Sequence, residues 1–188
     1  MRIISGARRG HKLLEFEGMD VRPTTDRVKE SIFNIIQNYV PDARVLDMFC
    51  GSGALSFEAL SRGAENAVCT DIDPKSIEII KKNALSLKFD DRCEILNISC
   101  FDYVSRNCGK GKKQFDIIFL DPPYNKGLIE PVLEAIAEND VLSDEGIIML
   151  ESDNTDFHDE CEGLEIYRRR KYGRTYITIY KKVINNLH

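Results

Sequence analysis

Asp121-Pro122-Pro123-Tyr124 is the sharpest chemical signal in the chain. It directly follows a hexapeptide, residues 115–120, that is apolar but for Asp116 and reads as a central strand. Two consecutive prolines rigidify the backbone and remove two N–H donors. Carbonyl oxygens and one carboxylate remain, an acceptor-rich pocket. Such a pocket suits an exocyclic amine, which presents two donors. Tyr124 adds a flat face on which a base can stack. The bland counterpart is a Pro-Pro turn with a packed tyrosine. The place of the motif favours chemistry, because open α/β sheets bind ligands at the carboxyl ends of their strands.

A second constellation is Asp47-Met-Phe49-Cys-Gly51-Ser-Gly53, between a strand and a helix. Glycines at such a turn let the backbone approach a ligand closely. The dinucleotide fingerprint wants G-x-G-x-x-G, but Ser56 holds the third position, which counts against a nicotinamide cofactor. An aspartate just before G-x-G suits a ligand with an amino-acid end, whose ammonium it attracts. Asp71 follows 24 residues after Asp47, at the end of the next strand. An acid there can hold both ribose hydroxyls. A G-x-G loop alone is ordinary turn chemistry; joined to Asp71 it points to a nucleoside-bearing ligand.

These residues need a scaffold, and the chain alternates strand and helix signals. Residues 2–5 and 12–16 read as a hairpin around Gly6-Ala-Arg8-Arg9-Gly10. From Asp26, Val28, Ile32, Ile35, Ile36 and Tyr39 fall at helical spacing, and Pro41 ends that helix. Strands are expected over 44–49, 67–71, 93–98, 115–120 and 146–151. Helices are expected over 54–62, with Gly63 as the stop, from Asp73-Pro74 through Leu87, and over 128–138. Two antiparallel strands, 164–167 and 176–181, join at Gly173. The sum is an α/β domain with a largely parallel sheet. Residues 1–41 form an N-terminal hairpin and helix, 42–183 the main domain, and 184–188 a tail.

Composition bounds the function. The 188 residues are 43% hydrophobic and 30% charged, enough to bury a core. No apolar run is long enough for a transmembrane helix. The opening turns polar after four residues and is not read as a secretory signal. The six cysteines form no C-x-x-C pair and there are three histidines, so no metal is expected. Several cysteines sit in apolar runs, as buried thiols in a reducing, cytoplasmic setting do. The net charge of −5 hides an asymmetry. Residues 168–188 carry seven basic and no acidic side chains, and residues 1–30 carry seven basic against five acidic. The basic ends, rather than the acidic middle, are placed to meet a polyanion. The bland alternative is that Arg168, Arg169, Arg170 and Lys171 only protect a strand edge.

Asp47…Gly51-Ser-Gly53, Asp71 and Asp121-Pro-Pro-Tyr124 together resemble class I S-adenosylmethionine-dependent methyltransferases acting on amino groups. Residues 2–10, 22–33, 46–63 and 121–124 more narrowly resemble the bacterial 16S ribosomal RNA guanine-N2 methyltransferases. The likeness runs from Arg2 to about Lys181, and the Arg22-Pro-Thr stretch is its most specific part. It implies a Rossmann-like fold with a mostly parallel seven-stranded sheet, helices on both faces, S-adenosylmethionine as methyl donor and no metal. It implies 16S ribosomal RNA or the assembling 30S subunit as partner. The size of the chain permits a monomer, and no obligate protein partner is evident. Asp47, Phe49, Gly51, Gly53, Asp71, Ile72 and Asp102 match the family's cofactor positions, and Asp121, Pro122, Pro123 and Tyr124 its catalytic ones. Arg8, Arg9, Arg22, Arg27 and Arg168 through Lys171 are expected to grip RNA phosphates, because positive charge is concentrated at both ends of an acidic chain. Two departures stand out: Cys50 where the family usually has Ala, and His11 where Arg is common.

Two other functions fit parts of the pattern. An acceptor-rich Asp-Pro-Pro-Tyr pocket also fits adenine, as in DNA adenine N6-methyltransferases, although no added target-recognition region is visible. A non-catalytic RNA-binding assembly factor would keep the fold but have little need of an intact Asp121 and glycine loop.

Overall fold

The computed structural model describes residues 1–16, 26–109, 111–123, 126–155 and 161–183. In chain order the elements are α1 (Asp26–Ile36), β1 (Arg44–Asp47), α2 (Ala54–Ser61), β2 (Asn66–Asp71), α3 (Pro74–Leu87), β3 (Cys93–Asn97) and α4 (Cys100–Asn107). β4 (Phe115–Leu120), α5 (Ile129–Glu138), β5 (Leu142–Ser152), β6 (Leu164–Tyr172) and β7 (Thr175–Lys182) complete them. The seven strands form one sheet in the order β3-β2-β1-β4-β5-β7-β6. The first five in that order run parallel, and β7 lies antiparallel to both β5 and β6. Chain order reverses between β1 and β4, and there the carboxyl ends of the strands open a crevice.

Helices cover both faces. On one, α1, α2 and α3 bury Ile32, Phe33, Phe57, Leu60, Ile80 and Leu87 against β-strand residues such as Val45, Ile117 and Ile179. On the other, α4 and α5 bury Tyr103, Val104, Val132 and Ile136 against Leu46, Ile118, Ile148 and Tyr180. Apart from Asp116, which pairs with Arg44, β4 is apolar at both faces, as a central parallel strand covered on both requires.

The local signals mostly hold. Asp73 caps α3 by accepting from the Lys75 N–H at 2.9 Å, with Pro74 in the first turn. β4 spans the residues that its apolar run marks. Several features differ. β6 runs on to Tyr172 rather than ending at 167, so the whole basic run lies in a strand. The first helix ends at Ile36, and a 3-10 turn over Gln37–Tyr39 completes it. The helix α4 had no expectation attached; it is eight residues long and starts at Ser99, whose hydroxyl accepts from the Asp102 N–H at 3.1 Å. β5 begins at Leu142, before its apolar run, through Ser143, Asp144 and Glu145. The expected pair of N-terminal strands is a single bridge, Arg2 to Lys12, rather than a ladder.

The bridge stays short because its backbone groups find other partners. The Ile4 and Ser5 N–H groups donate to Glu58 at 2.8 and 3.0 Å. The Ser5 carbonyl accepts from Ser61 Oγ at 2.6 Å, and the Ala7 N–H reaches the Ser61 carbonyl at 2.8 Å. Gly6 lies so close to α2 that a Cβ there would sit 1.8 Å from the Ser61 carbonyl oxygen, and its φ is +82°. Beneath this seam Lys29 of α1 and Glu58 of α2 form a fully buried ion pair at 3.3 Å. The N-terminal segment is thus stitched to the helices of the main sheet.

Candidate active site

β1 delivers Asp47 to the carboxyl edge of the sheet, and the chain then turns through Gly51 and Gly53 into α2. Neighbouring strands pin the turn: the Met48 N–H donates to the Phe119 carbonyl and the Cys50 N–H to the Thr70 carbonyl, each at 3.1 Å. Gly53 has φ +82°, and a Cβ there would lie 2.4 Å from the Phe57 ring and 2.8 Å from Ile80. A Cβ on Gly51 would meet only open space. The loop is therefore packed tightly below and open above, a cradle for a ligand.

Asp47 is 2% exposed and accepts from Ser56 Oγ at 2.7 Å. Burial raises its pKa to about 8, with the acidic neighbours Cys69 and Asp71 adding to the shift. Its described partners include no cation. A buried carboxyl in that state fits the ammonium of an amino-acid end, which would supply the missing charge. Ser56 takes on a positive meaning here. Where a dinucleotide-binding loop needs a third glycine, this chain places a hydroxyl that orients Asp47.

Asp71 ends β2 and braces the loop. Its two oxygens accept from the Gly51 N–H at 3.0 Å and the Asp73 N–H at 2.8 Å. Each oxygen keeps a second lone pair for a ribose hydroxyl. Ile72 beside it is 73% exposed, an apolar surface next to the ribose acid where an adenine can lie. Asp102 is exposed in the first turn of α4, where it accepts from Ser99 Oγ at 2.8 Å and faces Arg106 at 3.6 Å. Phe49 is half-buried against the second core.

Asp121 follows β4 directly. Register sets Leu120 of β4 beside Leu150 of β5, so the next residues, Asp121 and Glu151, are neighbours at the same edge. Glu151 is buried. Burial pushes Asp121 well above the usual carboxylate range, and the nearby Glu151 and Asp47 push it further. Pro122 is buried and Pro123 exposed. Three acids, Asp47, Asp121 and Glu151, therefore meet at the ends of three adjacent strands. Tyr124 lies outside the described residues, as do Arg22 and residues 184–188.

The basic residues divide. Arg8 is half-buried; its Nε donates to the Leu87 carbonyl at 2.6 Å, and its guanidinium lies over the Phe89 ring at 5.5 Å. It closes the C-terminus of α3. Arg9 and Arg27 are exposed. The run from Arg168 to Lys171 is split by strand alternation. Arg168 and Arg170 pair with Ile179 and Ile177 on the α1 side, and Arg169 and Lys171 with Thr178 and Tyr176 on the α5 side. Arg169 donates to Thr178 Oγ1 at 2.9 Å, and Lys171 lies 4.9 Å from the Tyr176 ring centroid. A bulge before Arg168 leaves Tyr167 53% exposed, with Lys181 between it and Tyr39. Across the sheet, Leu120, Leu150, Thr178 and Arg169 share one row. Three strand spacings, roughly 14 Å, thus separate the Asp121 strand from the basic edge.

Sequence spacing pointed to Asp47, the glycines, Asp71 and Asp121, and the structure gathers them at one sheet edge. It did not point to Glu151, whose neighbour Asp121 is distant in sequence. Ser56 was visible only as a departure from a motif.

The family profile described as "Conserved hypothetical protein 95" matches residues 1–181. The YlbH protein of Bacillus subtilis is 39% identical over 183 residues, which are 97% of this chain and 99% of that protein. Ribosomal RNA small subunit methyltransferase D of Haemophilus influenzae is 37% identical over 154 residues, 81% of this chain and 79% of that protein. Among solved structures, the yhhF protein of Escherichia coli aligns over 97% of both chains with a TM-score of 0.85 and 33% identity.

Proposed function

Because the chain belongs to the family described as "Conserved hypothetical protein 95", shared with the ribosomal RNA small subunit methyltransferases D, we propose that it transfers a methyl group from S-adenosylmethionine to the exocyclic N2 amine of a guanine in 16S ribosomal RNA. The observation that carries the chemistry is Asp121-Pro122-Pro123 at the end of β4, one strand from buried Asp47 and one from Glu151.

The guanine N2 lone pair is delocalised into the ring and is a poor nucleophile. The Asp121 carboxylate and the Pro122 carbonyl accept its two N–H bonds and aim the nitrogen, while the two prolines hold both acceptors still. Positioning and electrostatics of this kind supply most of the rate. The high proton affinity of Asp121 suits it to take the proton that the amine gives up. S-adenosylmethionine, held by Asp47, the Gly51–Gly53 turn, Asp71, Ile72 and Asp102, supplies an electrophilic methyl on a cationic sulfur. Tyr124 stacks on the target base, which must be unpaired or flipped out.

In this reading residues 1–41 are an RNA-contacting extension and 42–183 the methyltransferase domain, working as a cytoplasmic monomer. Arg9, Arg22, Arg27, Arg168, Arg170 and Lys171 contact phosphates, on naked RNA or on an assembling 30S subunit. Arg8 and Arg169 serve chiefly to hold the surfaces that carry them.

The test is transfer of labelled methyl to small ribosomal subunits, naked 16S RNA and duplex DNA, with the product digested to nucleosides. Label in N2-methylguanosine is expected. Label in N6-methyladenine from DNA alone, or cofactor binding with no label in any acceptor, overturns the reading.

A further inference from the structure

Asn83 lies near the end of α3, 1% exposed. Its amide is fully committed. Oδ1 accepts from the Leu14 N–H at 2.8 Å, and Nδ2 donates to the Leu14 carbonyl at 3.0 Å and to the Ser52 carbonyl at 2.9 Å. The first two bonds copy a strand pairing, with a side chain standing in for the neighbouring backbone. The third enters the middle of the Gly51–Gly53 turn. One turn earlier on the same helix, Ile80 packs beneath Gly53. One buried side chain therefore joins the cradle to the N-terminal segment, eight residues before Arg22.

We propose that Asn83 is a positioning residue that couples the glycine turn to the N-terminal segment, so that the cofactor and RNA each tighten the other's binding. The proposal rests on the RNA-methyltransferase reading for its second ligand. A ligand that fixes the Ser52 peptide fixes the Asn83 amide, and with it the Leu14 backbone. RNA held by the N-terminal segment fixes the same amide from the other side. Thermodynamic linkage makes the two effects equal.

The experiment is calorimetric titration of S-adenosylhomocysteine into wild type, Asn83→Ala and Ser86→Ala, each with and without a 16S RNA stem-loop, below the unfolding temperature of each. Ser86 is the control, because it holds the same segment through His11 Nε2 at 2.8 Å. In wild type and Ser86→Ala, RNA should tighten the ligand about fivefold. In Asn83→Ala the ligand should bind about tenfold more weakly, with no effect of RNA. Wild-type ligand affinity in Asn83→Ala, an RNA effect kept there in full, or no RNA effect in wild type that binds RNA, overturns the proposal. If Asn83→Ala does not fold, Asn83→Asp takes its place with the same expectation, since it keeps the acceptor for the Leu14 N–H and loses both donors. If wild type neither binds nor methylates RNA, the RNA reading fails instead, and the ligand affinity of the variant still decides whether Asn83 positions the turn.

Discussion

Asp121 and Asp47 have different work to do, and their variants should separate it. Asp121→Ala should lower kcat by about 100-fold or more, through lost aiming of the amine, and leave S-adenosylhomocysteine affinity within about twofold. Single-turnover methylation beside calorimetry reads both. In the proposed reading Asp47 holds the cofactor, and its raised pKa sets a pH dependence. Its pKa is about 8 in the fold, against about 4 in the unfolded chain. Between those values the folded state holds a proton that the unfolded chain has released. The stability associated with this group is complete below about pH 4 and is lost as pH rises through 8. Thermal midpoints of the ligand-free protein should therefore fall from pH 5 to pH 8.5, less steeply in Asp47→Asn. Binding of an ammonium should also expel the Asp47 proton, so calorimetry at pH 7 in buffers of different ionisation enthalpy should register proton release in wild type and little in the variant. The acids were legible in the sequence because each ends a strand at a recognisable offset from glycine or proline. Ser56, Asn83 and Glu151 were not, since a buried polar side chain is defined by partners that local spacing does not reveal.

Among the elements, the seam between the N-terminal segment and α2 carries the sharpest expectations. Glu58→Gln leaves the buried Lys29 ammonium without its counter-charge and should cost about 3–5 kcal/mol in chemical unfolding. Burial already lowers the Lys29 pKa, so part of that loss can be relieved by deprotonation at high pH. Gly6→Ala should detach the segment instead, because backbone rather than a movable side chain blocks its Cβ. Hydrogen exchange should then rise at Ile4 and Ser5 and stay slow in β1 and β4. Apolar runs made β4 and the helical faces legible. The helix α4 was hidden by its brevity, although Ser99 and Asp102 carry the pattern of a helix start. The N-terminal pairing is shorter than its alternation suggests, because alternation reports which faces are apolar, not whether the backbone pairs with a strand or with Glu58.

Over the whole molecule, charge is sorted by face and height. The acidic body turns a basic edge strand outward, level with the crevice. Arg170→Ala should weaken RNA binding and reduce the slope of log affinity against log salt by about one. Arg8→Ala should leave that slope unchanged and cost roughly 1 kcal/mol of stability, because its guanidinium serves the Leu87 carbonyl and the Phe89 ring. Charge counting pointed to the basic end of the chain but not to its division across two faces, which alternation and the bulge before Arg168 determine. The strand order adds a consequence for synthesis. β6 is made before β7, yet it joins the sheet only through β7. While translation is under way, Arg168 to Lys171 can emerge and still have nothing to stand on. The basic edge takes its place only when residues 175–182 slot in beside β5, so a nascent chain can form its glycine turn before the edge proposed to grip RNA exists.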